Sequence, residues 1–593
     1  MTATIPTAPE LRYDTMVRAL QAQSEIRPDA VAYAFLNYPD PQDAHGVKEV
    51  ITYAEIDRYA RAFAVSLLQI ASPGERAVLL LPPGLDYVKA FFGCLYAGIV
   101  AVPLYPPSMH NANGRLDAVC TDADPACLIT TDGELSRVTD WLDNSPTDTT
   151  RLILTTGEVD EALADKWEYP DIDAEQIALL QYTSGSTRTP AGVMVPHRGL
   201  LANATQIYDV YARVGLDIEG DDIAFVSWLP LFHDMGLMVG VVLPVLHGHH
   251  VVQLSASAFL RRPERWLQAI SDLPQQTFSA SPNLGYELCT QRIDADRRAE
   301  LDLSRWRYGL AGAEPVRVST VRKFNELFAP QGLSDKTLCA GFGLAEATLI
   351  VSAPWRTGGG IQIVSVDREE LAKGVVVPTD SDGAEIVGAG SAVPGTEILI
   401  VDPETRERLP EDRLGEVWTT GPAIAAGYFN RPEETEATFR GELAEPDGVH
   451  YMRTGDVGFL HDGELYLTSR LKDLIIVDGR NFYPPDLEAT AEHAHPLVLP
   501  GRCSIFSIDD NDKEKIVVLV EARLNLGKPE GVATATELRN AVRQAIFETH
   551  EVGVHEVALV APGAIPRTSS GKIQRSASRK AYLDGTLRVL RAR

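Results

Sequence analysis

Residues 182–192 read Tyr182-Thr183-Ser184-Gly185-Ser186-Thr187-Arg188-Thr189-Pro190-Ala191-Gly192 and follow the apolar run Ile177–Leu180. Serine and threonine hydroxyls with backbone N–H groups around Gly185 can wrap a cluster of anionic oxygens. Arg188 adds a permanent positive charge suited to phosphate. The Gly-Lys-Ser/Thr ending of a Walker loop is absent, so the segment alone suits either phosphate binding or an ordinary polar turn. Four further polar blocks follow: Gly341-Phe342-Gly343-Leu344-Ala345-Glu346-Ala347-Thr348, Arg453-Thr454-Gly455-Asp456, Ser469-Arg470-Leu471-Lys472-Asp473, and Pro566-Arg567-Thr568-Ser569-Ser570-Gly571-Lys572. Lys572 closes a Ser/Gly-rich loop, a setting that suits either a mobile functional side chain or a solvated lysine in a basic tail. The pair His233-Asp234 reads either as a catalytic dyad or as a structural hydrogen bond.

Together, the five blocks resemble the acyl-adenylate-forming superfamily, which includes acyl-CoA synthetases, luciferases and nonribosomal adenylation domains. They occur in that family's order and span nearly the whole chain. Three details resemble the fatty acyl-AMP ligase branch: Trp228-Leu229-Pro230-Leu231-Phe232-His233-Asp234-Met235-Gly236-Leu237, the Gly-Leu-Ala-Glu-Ala-Thr form of the middle block, and Val477-Asp478-Gly479-Arg480-Asn481.

The resemblance implies a role for each block. In the reaction a carboxylate attacks the α-phosphorus of ATP and displaces pyrophosphate. Both reactants are anions, so the site must supply positive charge and hydrogen-bond donors. Thr183, Ser184, Gly185, Ser186, Thr187 and Arg188 would hold the β- and γ-phosphates. Gly312 and Ala313 would line the adenine edge, Phe342 would stack on the base, and Gly341 and Gly343 would flank it. Asp456 would accept from the ribose hydroxyls, and Arg470 would donate to ribose or phosphate. Glu346 would reach Mg²⁺, a hard cation that prefers oxygen. Lys572 would contact the attacking carboxylate and the α-phosphate. His233, Asp234, Met235 and Gly236 would wall the acyl pocket, with Ser279 and Ala280 leaving room for the chain. No general base is required, because a carboxylic acid is already ionised at neutral pH. Arg188 and Ala191 stand where glycine and lysine are frequent in the superfamily, so a common phosphate contact is missing, which Arg188 could partly replace.

The elements that must position these residues read as alternating α/β material. Residues 77–82, 99–104, Cys127–Thr130, Ile177–Tyr182, Ile223–Trp228 and His250–Leu254 read as strands, and Leu85–Tyr96 as a helix between two of them. The fold class expected is α/β. A large N-terminal domain (1–470) would contain parallel-sheet subdomains and a small β-rich subdomain at about 380–470. A small mobile α+β domain (471–593) would carry the catalytic lysine, with Lys472 as the hinge. Residues 355–378 resemble the insertion that sets fatty acyl-AMP ligases apart from CoA-using relatives.

Composition narrows the class. With 45% hydrophobic and 23% charged residues in 593, the chain suits a globular enzyme rather than a disordered or fibrous one. Its 54 basic and 82 acidic residues give a net charge of −28, which disfavours nucleic acid and anionic membranes as partners. Six cysteines form no CxxC pair and suit buried thiols in a reducing compartment. The N-terminus lacks a signal-peptide pattern and no run is long enough for a membrane span, so a cytoplasmic protein is expected.

The resemblance thus implies an ATP- and Mg²⁺-dependent ligase. It would activate a medium- or long-chain fatty acid as acyl-AMP and pass the acyl group to the phosphopantetheine thiol of an acyl carrier protein, or of a carrier domain in a polyketide or peptide synthase. The rival readings are a long-chain acyl-CoA synthetase and a non-catalytic adenylate-binding protein. Carrier proteins are usually acidic, so docking would need a local basic patch, for which Arg567, Arg575, Arg579 and Lys580 are the candidates.

Overall fold

Short, almost wholly apolar runs such as Cys-Leu-Ile-Thr at Cys127–Thr130 and Ile-Ala-Phe-Val-Ser at Ile223–Ser227 can only be covered on both faces, which parallel sheets flanked by helices achieve. The computed structural model shows that arrangement. It describes residues 9–108, 113–145, 152–157, 159–183, 190–213, 215–220, 222–354, 358–380, 383–477, 480–498, 501–509, 514–568 and 572–590.

Two sheets form the body of the large domain. One has six strands in the order Ile153–Thr155, Cys127–Thr130, Arg76–Leu79, Val100–Pro103, Ile177–Tyr182 and Gly192–Pro196. All neighbours are parallel except the last pair. The other has seven strands, in the order Leu338–Ala340, Trp306–Ala311, Gln276–Ser281, Ile223–Ser227, His250–Leu254, Val31–Asn37 and Val47–Thr52. It too is parallel up to its final antiparallel pair. Helices Tyr53–Leu67, Leu85–Tyr96 and His197–Arg213 bury their apolar faces in a core shared by both sheets.

Strand direction decides where the chemistry can sit. Thr183, Trp228, Pro282, Gly312 and Gly341 each lie just beyond the C-terminal end of a parallel strand. That is the edge at which open α/β sheets bind ligands. Register then aligns neighbouring loops. Ala311 pairs with Ala340, and the Gly341 N–H donates to the Ala311 carbonyl at 3.0 Å, which brings the Gly312 and Gly341 turns side by side.

The expected β-rich portion contains an antiparallel sheet of Glu397–Val401, Gly415–Thr420, Met452–His461 and Glu464–Arg470. Residues from Ile475 onward have apolar cores of their own, made by the strands Cys503–Asp509, Glu514–Glu521 and Val554–Val560 with the helices Pro484–His493, Pro529–His550 and Arg575–Leu583. The segment that resembles an insertion carries regular structure. Ile363–Val366 pairs antiparallel with Ala384–Val387, and Val364, Val366, Leu371 and Val376 pack against Phe459 and Tyr466 of the four-stranded sheet and Tyr483 beyond it. All six cysteines are buried and unpaired. Among the described residues, no helix is long and apolar enough to cross a membrane.

Candidate functional site

The loops at the strand ends face residues 471–590 across a cleft of about 2460 Å³. Thr183, His233, Asp234, Met235, Gly312, Ala313, Gly341, Phe342, Gly343, Glu346, Asp456, Arg470, Lys472 and Lys572 all line it. Ser184, Gly185, Ser186, Thr187 and Arg188 lie outside the described residues, as do Asp478 and Gly479. Gly236, Ser279 and Ala280 are not on the cleft wall. A Cβ at residue 236 would come within 2.1 Å of the Pro230 carbonyl oxygen, so glycine there permits a tight backbone approach. The Ser279 hydroxyl is fully used: it donates to the Val226 carbonyl at 2.6 Å and accepts from the Trp266 indole at 2.8 Å. Ser279 and Ala280 instead border a small apolar void behind Leu310, Leu349 and Ile350, three residues that also line the cleft.

The cleft wall around Gly312 and Gly341 is built by backbone geometry as well as side chains. Ala313 adopts φ = 62°, in the sparsely allowed left-handed region. Its carbonyl oxygen accepts from the Lys572 ammonium at 3.5 Å, across the cleft. At residue 343 a Cβ would sit 1.7 Å from the Leu349 carbonyl oxygen, so glycine is obligatory for the turn to close. Phe342 is buried and lines the cleft.

Three charged groups complete the wall. Asp456 is buried, and its Oδ1 accepts from Arg470 Nε at 3.1 Å. That carboxylate, with burial opposing it, raises the pKa of Arg470. Glu346 follows the tight turn, and its Oε1 accepts from the Tyr428 hydroxyl at 2.7 Å. Burial raises the Glu346 pKa, and the Tyr428 hydroxyl and Arg470 charge only partly oppose the shift. A buried carboxylate of this kind is best offset by a cation, which fits Mg²⁺ held partly by phosphate oxygens and water. Among the described residues no cluster of three or more His, Cys, Asp or Glu side chains could hold a metal on its own.

Lys572 is a strongly perturbed cation. Burial and the Arg470 charge push its pKa down to about 8, with Asp456 and Glu314 pulling the other way. Its charge is therefore poorly solvated and poised for an anionic partner. His233 Nδ1 and Asp234 Oδ1 lie 2.6 Å apart. Burial pulls the His233 pKa down, but the Asp234 carboxylate outweighs it and leaves the imidazole raised. The pair forms a polar part of the cleft wall.

Several residues that matter were not visible in the sequence. Tyr428 lies 82 positions from the Glu346 it orients. Glu314 accepts from the Leu284 N–H at 2.8 Å and faces Lys572, and its burial raises its pKa. Arg317 pairs at 2.7 Å with Glu492, and this bond joins the loop below Gly312 to helix Pro484–His493. The basic tail divides. Arg575 is not a surface charge: Glu488 holds it at 2.6 Å and Asp473 at 3.5 Å. Arg567 donates to the Gly501 carbonyl, whereas Arg579 and Lys580 are exposed, the first bonded to the Ser507 carbonyl and the second paired with Asp584.

Residues 20–429 match the AMP-binding enzyme family, and residues 472–592 match the Disco-interacting protein 2-like AMP domain. The medium-chain-fatty-acid–[acyl-carrier-protein] ligase JamA of Moorena producens is 39% identical over 98% of this chain and 97% of its own. The long-chain-fatty-acid–AMP ligase FadD32 of Mycolicibacterium smegmatis is 37% identical over 97% of this chain and 95% of its own. A crystal structure of a fatty acyl-adenylate ligase from Legionella pneumophila, in complex with acyl adenylate and pyrophosphate, is 33% identical. It superposes with a TM-score of 0.73 over 98% of each chain. The chain belongs to the AMP-binding enzyme family and, within it, to the fatty acyl-AMP ligases.

Proposed function

We propose that this enzyme activates a medium- or long-chain fatty acid with ATP, releases pyrophosphate, and passes the acyl group from acyl-AMP to the phosphopantetheine thiol of a carrier protein or carrier domain. The observation that carries the reading is the Lys572 ammonium at the Ala313 carbonyl, across a cleft whose other wall holds Glu346, Asp456 and Arg470. It is an adenylate-forming arrangement: a desolvated cation meets the face where charge gathers at phosphorus.

In the forward step a fatty-acid carboxylate oxygen forms a bond to the α-phosphorus. The bond from that phosphorus to the bridging oxygen breaks, and its electron pair leaves on pyrophosphate. Lys572 draws the two anions together and stabilises the negative charge on the oxygens of the five-coordinate phosphorus. Asp456 and Arg470 hold the ribose end, and Phe342 with the Gly312–Ala313 turn holds the base. Mg²⁺ when bound neutralises phosphate charge, and Glu346 is the residue that would face it. The apolar side chains of Leu310, Leu349 and Ile350 on the cleft wall, with Ala280 behind them, support an acyl chain lying against this face. The relatives named for an acyl-carrier-protein ligase and for AMP ligases support carrier transfer over CoA. Six unpaired buried thiols support a cytoplasmic location.

The test is a panel of fatty acids incubated with ATP and Mg²⁺, then with CoA or holo-carrier protein, and read by mass spectrometry. Acyl-AMP with every acid tried absent, and no pyrophosphate release, would leave only an adenylate-binding protein.

A further inference from the structure

Pyrophosphate leaves carrying several negative charges, and the loop expected to receive it lacks one familiar cation because residue 191 is alanine. Most arginines near the nucleotide face cannot make up the deficit. Arg453 is held by Glu416 at 2.8 Å, Arg470 by Asp456 at 3.1 Å, Arg317 by Glu492 at 2.7 Å and Arg575 by Glu488 at 2.6 Å. Each of those charges is already balanced. Arg431, which donates to the Pro190 carbonyl at the far end of the loop, is balanced by Asp122 at 3.0 Å and Glu434 at 3.4 Å.

Arg115 differs. It sits in the first turn of helix Gly114–Ala123 and lines the cleft beside Thr183 and His233. Its one hydrogen bond among the described residues runs from Nη2 to the Tyr182 carbonyl, at 3.2 Å, where the polar loop begins. No carboxylate within the described residues pairs with it, and its buried Nε has no partner there. Burial lowers its pKa, and its charge is felt at His233, where it opposes the larger upward pull of Asp234. A half-buried guanidinium without a counter-charge is costly unless an anion completes it. Its planar fork suits phosphate oxygens, and only one arm is in use.

We propose that Arg115 is a further catalytic residue that binds the departing pyrophosphate, supplying from outside the polar loop the cation that Ala191 does not. The proposal rests on the adenylate-forming reading given above. In the reverse direction a pyrophosphate oxygen bonds to the α-phosphorus of acyl-AMP, and the bond from that phosphorus to the acyl carboxylate oxygen breaks. ATP and the free fatty-acid carboxylate result. Arg115 would hold the attacking pyrophosphate in this direction and the leaving one in the other.

The rival role is a clamp on the Tyr182 carbonyl, and the test separates the two. The full-length enzyme is given dodecanoyl-AMP and inorganic pyrophosphate with Mg²⁺, and ATP formation is followed. In parallel, the affinity for dodecanoyl-sulfamoyl-adenosine is measured; this analogue presents the acyl and nucleoside parts and no β- or γ-phosphate. Arg115→Met is expected to raise the apparent KM for pyrophosphate by roughly tenfold or more, the loss of one charged hydrogen-bonding partner. Affinity for the sulfamoyl analogue should stay within about twofold of the parent. Arg115→Lys should recover part of the pyrophosphate affinity, because it keeps the charge and loses the fork. An unchanged pyrophosphate KM in Arg115→Met overturns the proposal. So does a parallel loss of analogue affinity in Arg115→Lys, which identifies a structural clamp even if the methionine variant folds poorly. If the parent enzyme itself forms no ATP from dodecanoyl-AMP, the adenylate-forming reading falls, and this assignment with it.

Discussion

The Arg317 guanidinium and the Glu492 carboxylate meet at 2.7 Å across the boundary between the large body of the enzyme and the residues that carry Lys572. Glu492 is buried, which pushes its pKa up to about 7, with Arg317 opposing the shift. The same carboxylate accepts from the Gly501 N–H at 2.7 Å, and Arg567 donates to the Gly501 carbonyl. Arg317 lies four residues beyond Ala313, whose carbonyl receives Lys572. One short loop therefore makes both contacts that seat the lysine.

This relationship separates the two half-reactions. Breaking one partner of a buried ion pair typically costs about 3–5 kcal/mol, because the other charge is left stranded. The pair exists in the arrangement that presents Lys572, and if the small domain moves before the thiol enters, the pair serves only the first half-reaction. Arg317→Met is expected to slow acyl-AMP formation by roughly tenfold or more, while transfer from preformed acyl-AMP to holo-carrier protein falls far less. Single-turnover measurements of each step check this. Equal loss in both would mean that the pair serves general stability.

Lys572 gives a prediction with a definite sign in pH. Its ammonium is the active form, and burial with the Arg470 charge lowers its pKa to about 8 in the free enzyme. Charge is therefore lost as pH rises through that value. The kcat/KM for adenylation should be flat near neutrality and fall above about pH 8. Bound phosphate favours the charged lysine, so the limb in kcat should lie at higher pH. Lys572→Arg should remove the alkaline limb, and Lys572→Ala should lose adenylation by a factor on the order of 10² or more. A pH profile unchanged in Lys572→Arg would show that another group sets it.

Glu346 and Tyr428 are predicted to act as a unit. The Tyr428 hydroxyl fixes one carboxylate oxygen of Glu346 at 2.7 Å, and the Ala425 N–H donates to the Glu346 carbonyl at 2.9 Å. Glu346→Gln should raise the Mg²⁺ concentration needed for half-maximal adenylation, because the negative charge facing the ion is gone. Tyr428→Phe leaves the charge and removes the tether, so a smaller shift in the same direction is expected, roughly threefold. The double variant should resemble Glu346→Gln alone. Mg²⁺ titrations of the three enzymes test this, and additive effects would break the link.

How far these relationships were legible in the sequence follows from their physics. Strands in the two parallel sheets were readable because burial on both faces makes each one a short apolar run, and the loops at their C-terminal ends were readable as polar interruptions. The helix Pro529–His550 begins on a proline, a residue favoured in a helix's first turn. Residues 355–378 hid their regular structure because the partner strand, Ala384–Val387, lies outside that span. Cross-boundary bonds were invisible: Arg317 and Glu492 are 175 positions apart, and nothing local in either neighbourhood specifies the other. Charge alone misled at Arg575. A basic run reads as a surface patch, yet two acidic residues from elsewhere in the chain enclose this one.

The last prediction concerns the acceptor. CoA and a carrier protein present the same phosphopantetheine thiol, so selectivity must come from access and not from thiol chemistry. The segment within 355–378 is placed to control access. Val364, Val366, Leu371 and Val376 are anchored on the four-stranded sheet, while Leu371 also accepts from the Tyr483 hydroxyl at 3.3 Å, and Arg368 reaches Asp486 at 3.6 Å. Tyr483 and Asp486 flank the start of the helix that carries Glu488 and Glu492. A segment bound on both sides of the boundary resists rotation of one against the other. Arg368→Ala with Tyr483→Phe removes both polar ties and leaves the apolar anchor in place. The pair of changes is expected to leave acyl-AMP formation within about threefold of the parent and to increase acyl-CoA formation relative to acyl-carrier thioester, because rotation is opposed by fewer contacts. Competition between CoA and holo-carrier protein, resolved by mass spectrometry, gives the ratio directly. If the parent already uses CoA as readily as carrier protein, the segment is not what selects the acceptor, and the acyl-CoA synthetase reading replaces the carrier-protein one.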